Sequence, residues 1–219
     1  MQTFYFTDPG KVREHNEDSV TILNNENKEF ILAIADGMGG HKAGEIASSI
    51  AIDHIKESFY SLETIGKKEE AIEWLREVVK EINKKIFDYA KEHPESKGLG
   101  TTLVIAIRTE DYILYGNIGD SAGYVIKNDK MHKVTKDHTY VGMLLNTGKL
   151  SEESAKNHPG KNLLTRALGA NDPIEIDIFD VDTSVKGLFL CSDGLTNMLD
   201  DEQISKVLSE WLPNKITKI

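Results

Sequence analysis

The chain has 219 residues, 39% hydrophobic and 28% charged, enough to bury one real core and too apolar for a disordered chain. Its 26 lysines and arginines against 36 acids leave a net charge of −10, which excludes a general nucleic-acid binder because a phosphate backbone needs a positive surface. One cysteine, Cys191, excludes a disulfide framework or a cysteine-rich zinc site; with no bilayer-length apolar run and no secretory pattern, a cytoplasmic protein without membrane attachment is expected.

In chain order, 20–23 and 30–35 read as two strands joined by a polar turn. A glycine-rich loop follows Asp36. A helix then starts near Ala43, with apolar residues at 43, 46, 47, 50, 51, 55 and 59, which is helical spacing. A second helix covers about 69–92 with the same period, and Pro94 ends it. Strands are expected at 101–108, 112–117, 123–126 and 132–134, the last two joined by a turn at Asn128-Asp129. Two short helices are expected at 139–146 and 151–157. Ile174, Ile176 and Ile178 alternate, which predicts a strand with one buried face, and 187–191 reads as a more continuously apolar strand. A last helix is expected at 201–212, capped by Asp201 and stopped by Pro213. Strands and helices do not alternate regularly, which argues for an α+β fold of mainly antiparallel sheets in a single domain, 1–219.

Four acidic points share a pattern, a carboxylate beside an apolar strand with a glycine or small residue next to it: Glu17-Asp18, Asp36-Gly37, Gly119-Asp120-Ser121 and Ser192-Asp193-Gly194. Each alone reads more readily as a turn. Together they could converge on a divalent cation, which takes carboxylate and carbonyl oxygens. The loop 36–44 does not fit a nucleotide cradle, since neither the dinucleotide glycine spacing nor a P-loop lysine-serine pair is present.

The stretches 10–19 (GKVREHNEDS), 35–44 (ADGMGGHKAG), 100–102 (GTT), 117–121 (NIGDS), 135–138 (TKDH), 164–169 (LTRALG) and 191–195 (CSDGL) occur in an order and spacing that resembles the metal-dependent protein phosphatases, the type 2C serine/threonine phosphatases, in their bacterial form. Met38 stands where plant and animal members usually have histidine. The resemblance covers nearly the whole chain. It implies a four-layer α/β/β/α sandwich of two mainly antiparallel sheets flanked by helices. It also implies two Mn2+ or Mg2+ ions and hydrolysis of phosphoserine and phosphothreonine by a metal-activated water.

By the same resemblance, Asp36 bridges both ions, the Gly37 carbonyl binds one and Asp193 holds the other. Asp18 acts through water, with Glu17 as the alternative, and Asp120 either holds a third ion or forms a turn. Arg13 matches the phosphate-binding arginine, whose planar fork suits a phosphoryl group. His41 is the candidate general acid, since histidine titrates near neutral pH. Asp137 and His138 belong to a family motif with either a site or a structural role. Residues 139–161 match a variable flap beside the active site. Cys191 is expected to be a buried strand residue. The implied partners are phosphorylated proteins, including a bacterial serine/threonine kinase and its substrates; the protein is expected to be a monomer without nucleic acid.

One departure concerns the last metal-binding aspartate of the family. No aspartate follows Asp201, and 214–219 resembles the family's final strand only faintly, with Asn214 where that aspartate falls. The alternative expectation is therefore a truncated phosphatase-like binding or regulatory module with reduced activity or none.

Overall fold

The computed structural model describes residues 2–11, 15–40, 43–96, 98–128, 130–156 and 158–215. Its strands are β1 (Asp18–Asn24), β2 (Phe30–Met38), β3 (Gly100–Thr101), β4 (Leu103–Arg108), β5 (Ile113–Ile118), β6 (Ala122–Lys127), β7 (Lys130–Lys133), β8 (Asp177–Val181) and β9 (Gly187–Cys191). Its α-helices are α1 (Ala43–Tyr60), α2 (Lys68–Glu92), α3 (Tyr140–Asn146), α4 (Glu152–Lys156), α5 (Asp193–Thr196) and α6 (Asp201–Lys215). The strands form two sheets, each paired antiparallel throughout. The larger runs β1-β2-β4-β5-β8 with β3 paired to the end of β2, and the smaller runs β7-β6-β9. This is the expected mixed α+β architecture. Among the described residues no helix is long and apolar enough to cross a membrane.

Alternation along β2 assigns its two faces. Ile31, Ala33 and Ala35 are buried in the main core with Ala47, Ala51 and Ile55 of α1 and Leu75, Val79 and Ile82 of α2. Each such aliphatic side chain larger than alanine contributes roughly 1.5–3 kcal/mol when fully buried. The opposite parity faces the smaller sheet: Leu32 packs with Ala106, Ile113, Tyr115 and Val125 between the sheets. Tyr115 crosses that layer, its hydroxyl donating to the Tyr124 carbonyl at 2.7 Å. Asp36 shares the parity of Leu32, so the alternation carries it to the edge of the inter-sheet layer.

Several boundaries differ from expectation. Gly37 is not a turn residue: β2 continues through Met38 because β3 pairs with it, Gly37 opposite Thr101. The strand expected at 101–108 is broken at Thr102, whose backbone N–H donates to the Asp36 carbonyl instead. Ile174 and Ile176 precede β8 without belonging to it, although Ile174 is buried and Ile176 packs against the same core. Their alternation therefore reports burial against the core without a ladder partner. The α6 cap is Asp200 and not Asp201: Asp200 Oδ1 accepts from the Gln203 N–H at 2.8 Å, and Gln203 Oε1 accepts from the Asp200 N–H at 3.0 Å. The helix also continues past Pro213 to Lys215, since one missing N–H near a helix end weakens the helix without ending it. Asn214 is accordingly helical and not at the head of a strand.

Candidate active site

The four acidic points come from distant parts of the chain to one end of the two sheets. Asp18 opens β1 and lies directly opposite Asp36 of β2. Asp193 begins α5 immediately after β9, and Asp120 lies in the turn between β5 and β6. Ser192 joins two of these points, its hydroxyl donating to Asp18 Oδ2 at 2.8 Å. Asn197 holds Asp193 from one turn further along, Nδ2 to Oδ2 at 2.9 Å.

The charges of these carboxylates act on one another. Burial, the charges of Asp18, Asp193 and Asp120, and a hydrogen bond with Asp193 together push the Asp36 carboxyl far above the usual carboxylate range. Burial, with Asp193 and Asp137, pushes Asp120 up to about 6. Lys133 offsets Asp120 in part, but it is itself paired with Asp137 at 2.7 Å. The donor set is therefore rich in hard oxygen ligands and short of positive charge, a composition that fits a divalent cation. Among the described residues no three histidine, cysteine, aspartate or glutamate side chains stand together in a ready-made ligand group.

The backbone beneath Asp36 is held on both sides. Its N–H donates to Thr102 Oγ1 at 3.0 Å, and its carbonyl accepts from the Thr102 N–H and the Thr101 hydroxyl, each at 2.9 Å. Thr102 Oγ1 also shares a 2.8 Å hydrogen bond with Ser121 Oγ, beside Asp120. One buried hydroxyl thus ties the Asp36 strand to the Asp120 turn.

Gly37 is required by close approach. A Cβ there would overlap the Gly44 carbonyl of α1 and stand 2.7 Å from the Glu17 carbonyl. The Gly37 N–H donates to that Glu17 carbonyl at 3.1 Å, and Ser48 of α1 donates to it as well, at 2.6 Å. The Glu17 side chain lies along Gly44, where a Cβ would come within 2.8 Å of its carboxyl carbon. Glu17 is thus packed at the root of α1, while Asp18 is the one opposite Asp36.

Arg13 and His41 lie outside the described residues. Cys191 is buried at the end of β9, as expected, and burial pushes its thiol up to about 12, the opposite of what a nucleophile needs. Nothing in their local sequence pattern marks Thr102, Ser121, Ser192 or Asn197 for these contacts. All but Asn197 lie inside quoted motifs, so motif membership was the one signal available for them. Asp177 and Arg166 were also missed: Arg166 donates to Asp177 Oδ1 at 2.5 Å, and Asp177 Oδ2 lies 3.2 Å from His138 Nε2.

The chain matches the family model "Protein phosphatase 2C" over residues 11–215. It is 42% identical over 209 residues to the serine/threonine phosphatase stp of Listeria innocua, covering 95% of this chain and 83% of that protein. It is 34% identical over 214 residues to the protein phosphatase PhpP of Streptococcus pneumoniae, covering 97% and 86%. Among solved structures it superposes on the serine/threonine phosphatase Stp1 of Staphylococcus aureus with a TM-score of 0.86 and 38% identity, covering 93% of this chain and 80% of that one.

Proposed function

The chain belongs to the protein phosphatase 2C family and is a bacterial-type serine/threonine protein phosphatase, and from that premise we propose how its residues divide the work. Asp36, Asp193 and the Gly37 carbonyl hold two Mn2+ or Mg2+ ions, with Asp18 in support through water and Glu17 as its alternative. Asp120 serves a third ion. The observation that carries this assignment is that a half-buried Asp36 faces Asp18 across the β1–β2 pair and is hydrogen-bonded to Asp193, a concentration of negative charge, with Asp120 adding to it, that a cation relieves.

When bound, the ions supply Lewis acidity that makes water a competent nucleophile near neutral pH. Water adds to phosphorus, and the serine or threonine oxygen leaves with a proton, yielding inorganic phosphate and a free hydroxyl. Arg13 binds the phosphoryl oxygens with its planar guanidinium, and His41 donates the proton to the leaving oxygen. Asp36 stays in place because Thr101 and Thr102 hold its peptide groups from β3 and the strand break.

The rest follows from the same premise. The substrates are phosphorylated proteins, including those of a bacterial serine/threonine kinase, and the enzyme works in the cytoplasm as a single-domain monomer. Residues 139–161, which carry α3 and α4, act as the flap. The four-layer stacking is completed by α6 over the smaller sheet, supported by buried Ile204 and the 3.1 Å bond from the Tyr124 hydroxyl to Asp201 Oδ1.

The test is turnover of p-nitrophenyl phosphate and a phosphothreonine peptide with millimolar Mn2+. EDTA and Asp193→Asn should each abolish it. Folded protein with no turnover above buffer at any Mn2+ concentration overturns the assignment.

A further inference from the structure

The Gly119–Asp120 turn is gripped by one side chain that has no assigned part in the chemistry. Gly119 has φ +99, and a Cβ there would lie 2.6 Å from Thr102 Cγ2, so the turn is bare backbone pressed against the threonine that holds Asp36. His138 bonds both peptide groups around Gly119. Its ring Nδ1 accepts from the Gly119 N–H at 3.1 Å, and its own N–H donates to the Gly119 carbonyl at 2.9 Å. Those two peptide planes set the direction in which the next residue, Asp120, leaves the turn. Asn117 adds a third hold, Nδ2 to the Gly119 carbonyl at 3.2 Å.

A peptide N–H can only donate, so Nδ1 must accept and the neutral ring carries its proton on Nε2. Nε2 lies 3.2 Å from Asp177 Oδ2, which receives that proton's hydrogen bond. Asp177 also accepts from Arg166, and Arg166 donates to the Glu175 carbonyl at 3.3 Å. The imidazole thus has a defined tautomer and a braced rear edge. It is almost fully buried at 8% exposure, and burial together with the Arg166 charge holds its pKa below the ordinary histidine value.

The geometry points to His138 as a positioning residue for the phosphatase reaction: braced by Asp177 and Arg166 as the Nε2–H tautomer, it clamps Gly119 and fixes the aim of Asp120. The inference rests on the proposed place of Asp120 in the active site. The side chain acts through Asp120 and touches no reacting atom.

The experiment has two arms. In metal-free protein labelled with 15N-histidine, NMR at neutral pH should show His138 protonated on Nε2 and bare on Nδ1; an Nδ1–H tautomer overturns the clamp. In kinetics with Mn2+ and p-nitrophenyl phosphate, His138→Leu should lower kcat about 10–100-fold with KM little changed, the size expected for loss of an orienting group. His138→Asn, which places an acceptor oxygen near the Nδ1 position, should recover most of that kcat, and equal damage by both variants counts against the clamp. Adding His138→Leu to Asp120→Asn should cost no further activity. Multiplying losses in the double variant overturn the clamp while leaving the site intact. Asp120→Asn at wild-type activity removes Asp120 from the site and the clamp with it. If His138→Leu does not fold, as judged by circular dichroism, the tautomer measurement decides.

Discussion

Asp18 and Asp36 lie directly opposite one another in β1 and β2, so two carboxylates occupy facing positions of one antiparallel pair. Like charges in that arrangement destabilise a sheet. Here burial and the charges of Asp193 and Asp120 add to the penalty on ionising Asp36. Stability has been given up locally at the point where negative charge is useful, and removing a carboxylate should expose that exchange.

Asp36→Asn should make the metal-free protein more stable at neutral pH, by on the order of 1 kcal/mol, because the fold no longer has to keep a carboxyl protonated that the unfolded chain would ionise. It should also lower phosphatase activity by more than about 100-fold through loss of the central ligand. Mn2+ should raise the melting temperature of the wild type and have little effect on the variant. Thermal melts with and without metal check all three, and an unchanged or lower metal-free melting temperature contradicts the electrostatic account.

The same repulsion fixes the direction of pH dependence. Asp36 and Asp120 have folded-state pKa values above their unfolded values, Asp120 at about 6. The folded chain therefore holds protons that the unfolded chain releases above about pH 3.9. Their contribution is fully favourable below that pH. It is lost as pH rises through about 6 for Asp120 and continues to fall until Asp36 ionises. Urea unfolding of metal-free wild type and of the Asp36→Asn, Asp120→Asn double variant, at intervals from pH 5 to 8, should show their stabilities diverging in the variant's favour as pH rises.

Thr102→Val keeps the shape of a buried residue and removes the hydroxyl that serves the Asp36 N–H and Ser121. Leaving those groups unpaired should destabilise the protein by about 1–3 kcal/mol. It should also lower kcat, because the Asp36 strand and the Asp120 turn lose their common tie. Thr102→Ser retains the hydroxyl and should suffer a smaller loss on both measures, read by chemical denaturation and steady-state kinetics.

Gly37→Ala should be poorly tolerated, since its Cβ meets the backbone carbonyls of Gly44 and Glu17, which cannot move without shifting α1. A cost of about 3 kcal/mol is expected. Gly40→Ala is the control: a Cβ there meets nothing within 4 Å, and its stability should change by less than about 0.5 kcal/mol. Equal behaviour of the two variants in a thermal melt contradicts the close-approach role of Gly37.

Much of this protein was determined by local pattern. The 3.6-residue apolar period of α1 and α2 and the continuous apolar runs of β2 and β9 follow from which faces must leave water, and they are legible one segment at a time. The ordered motifs likewise single out Asp18, Asp36, Asp120 and Asp193 without reference to the fold. Tertiary structure decided how those residues meet. Gly37 is a strand residue only because β3, more than sixty positions later in the chain, pairs with it. Ser192 reaches Asp18 across 174 positions, and Thr102 reaches Asp36 across 66. His138 finds its brace in Asp177, 39 positions away. Such contacts leave no periodic trace in the sequence, because hydrophobic burial imposes a spacing on neighbours, whereas a hydrogen bond between distant segments imposes only one residue at each end.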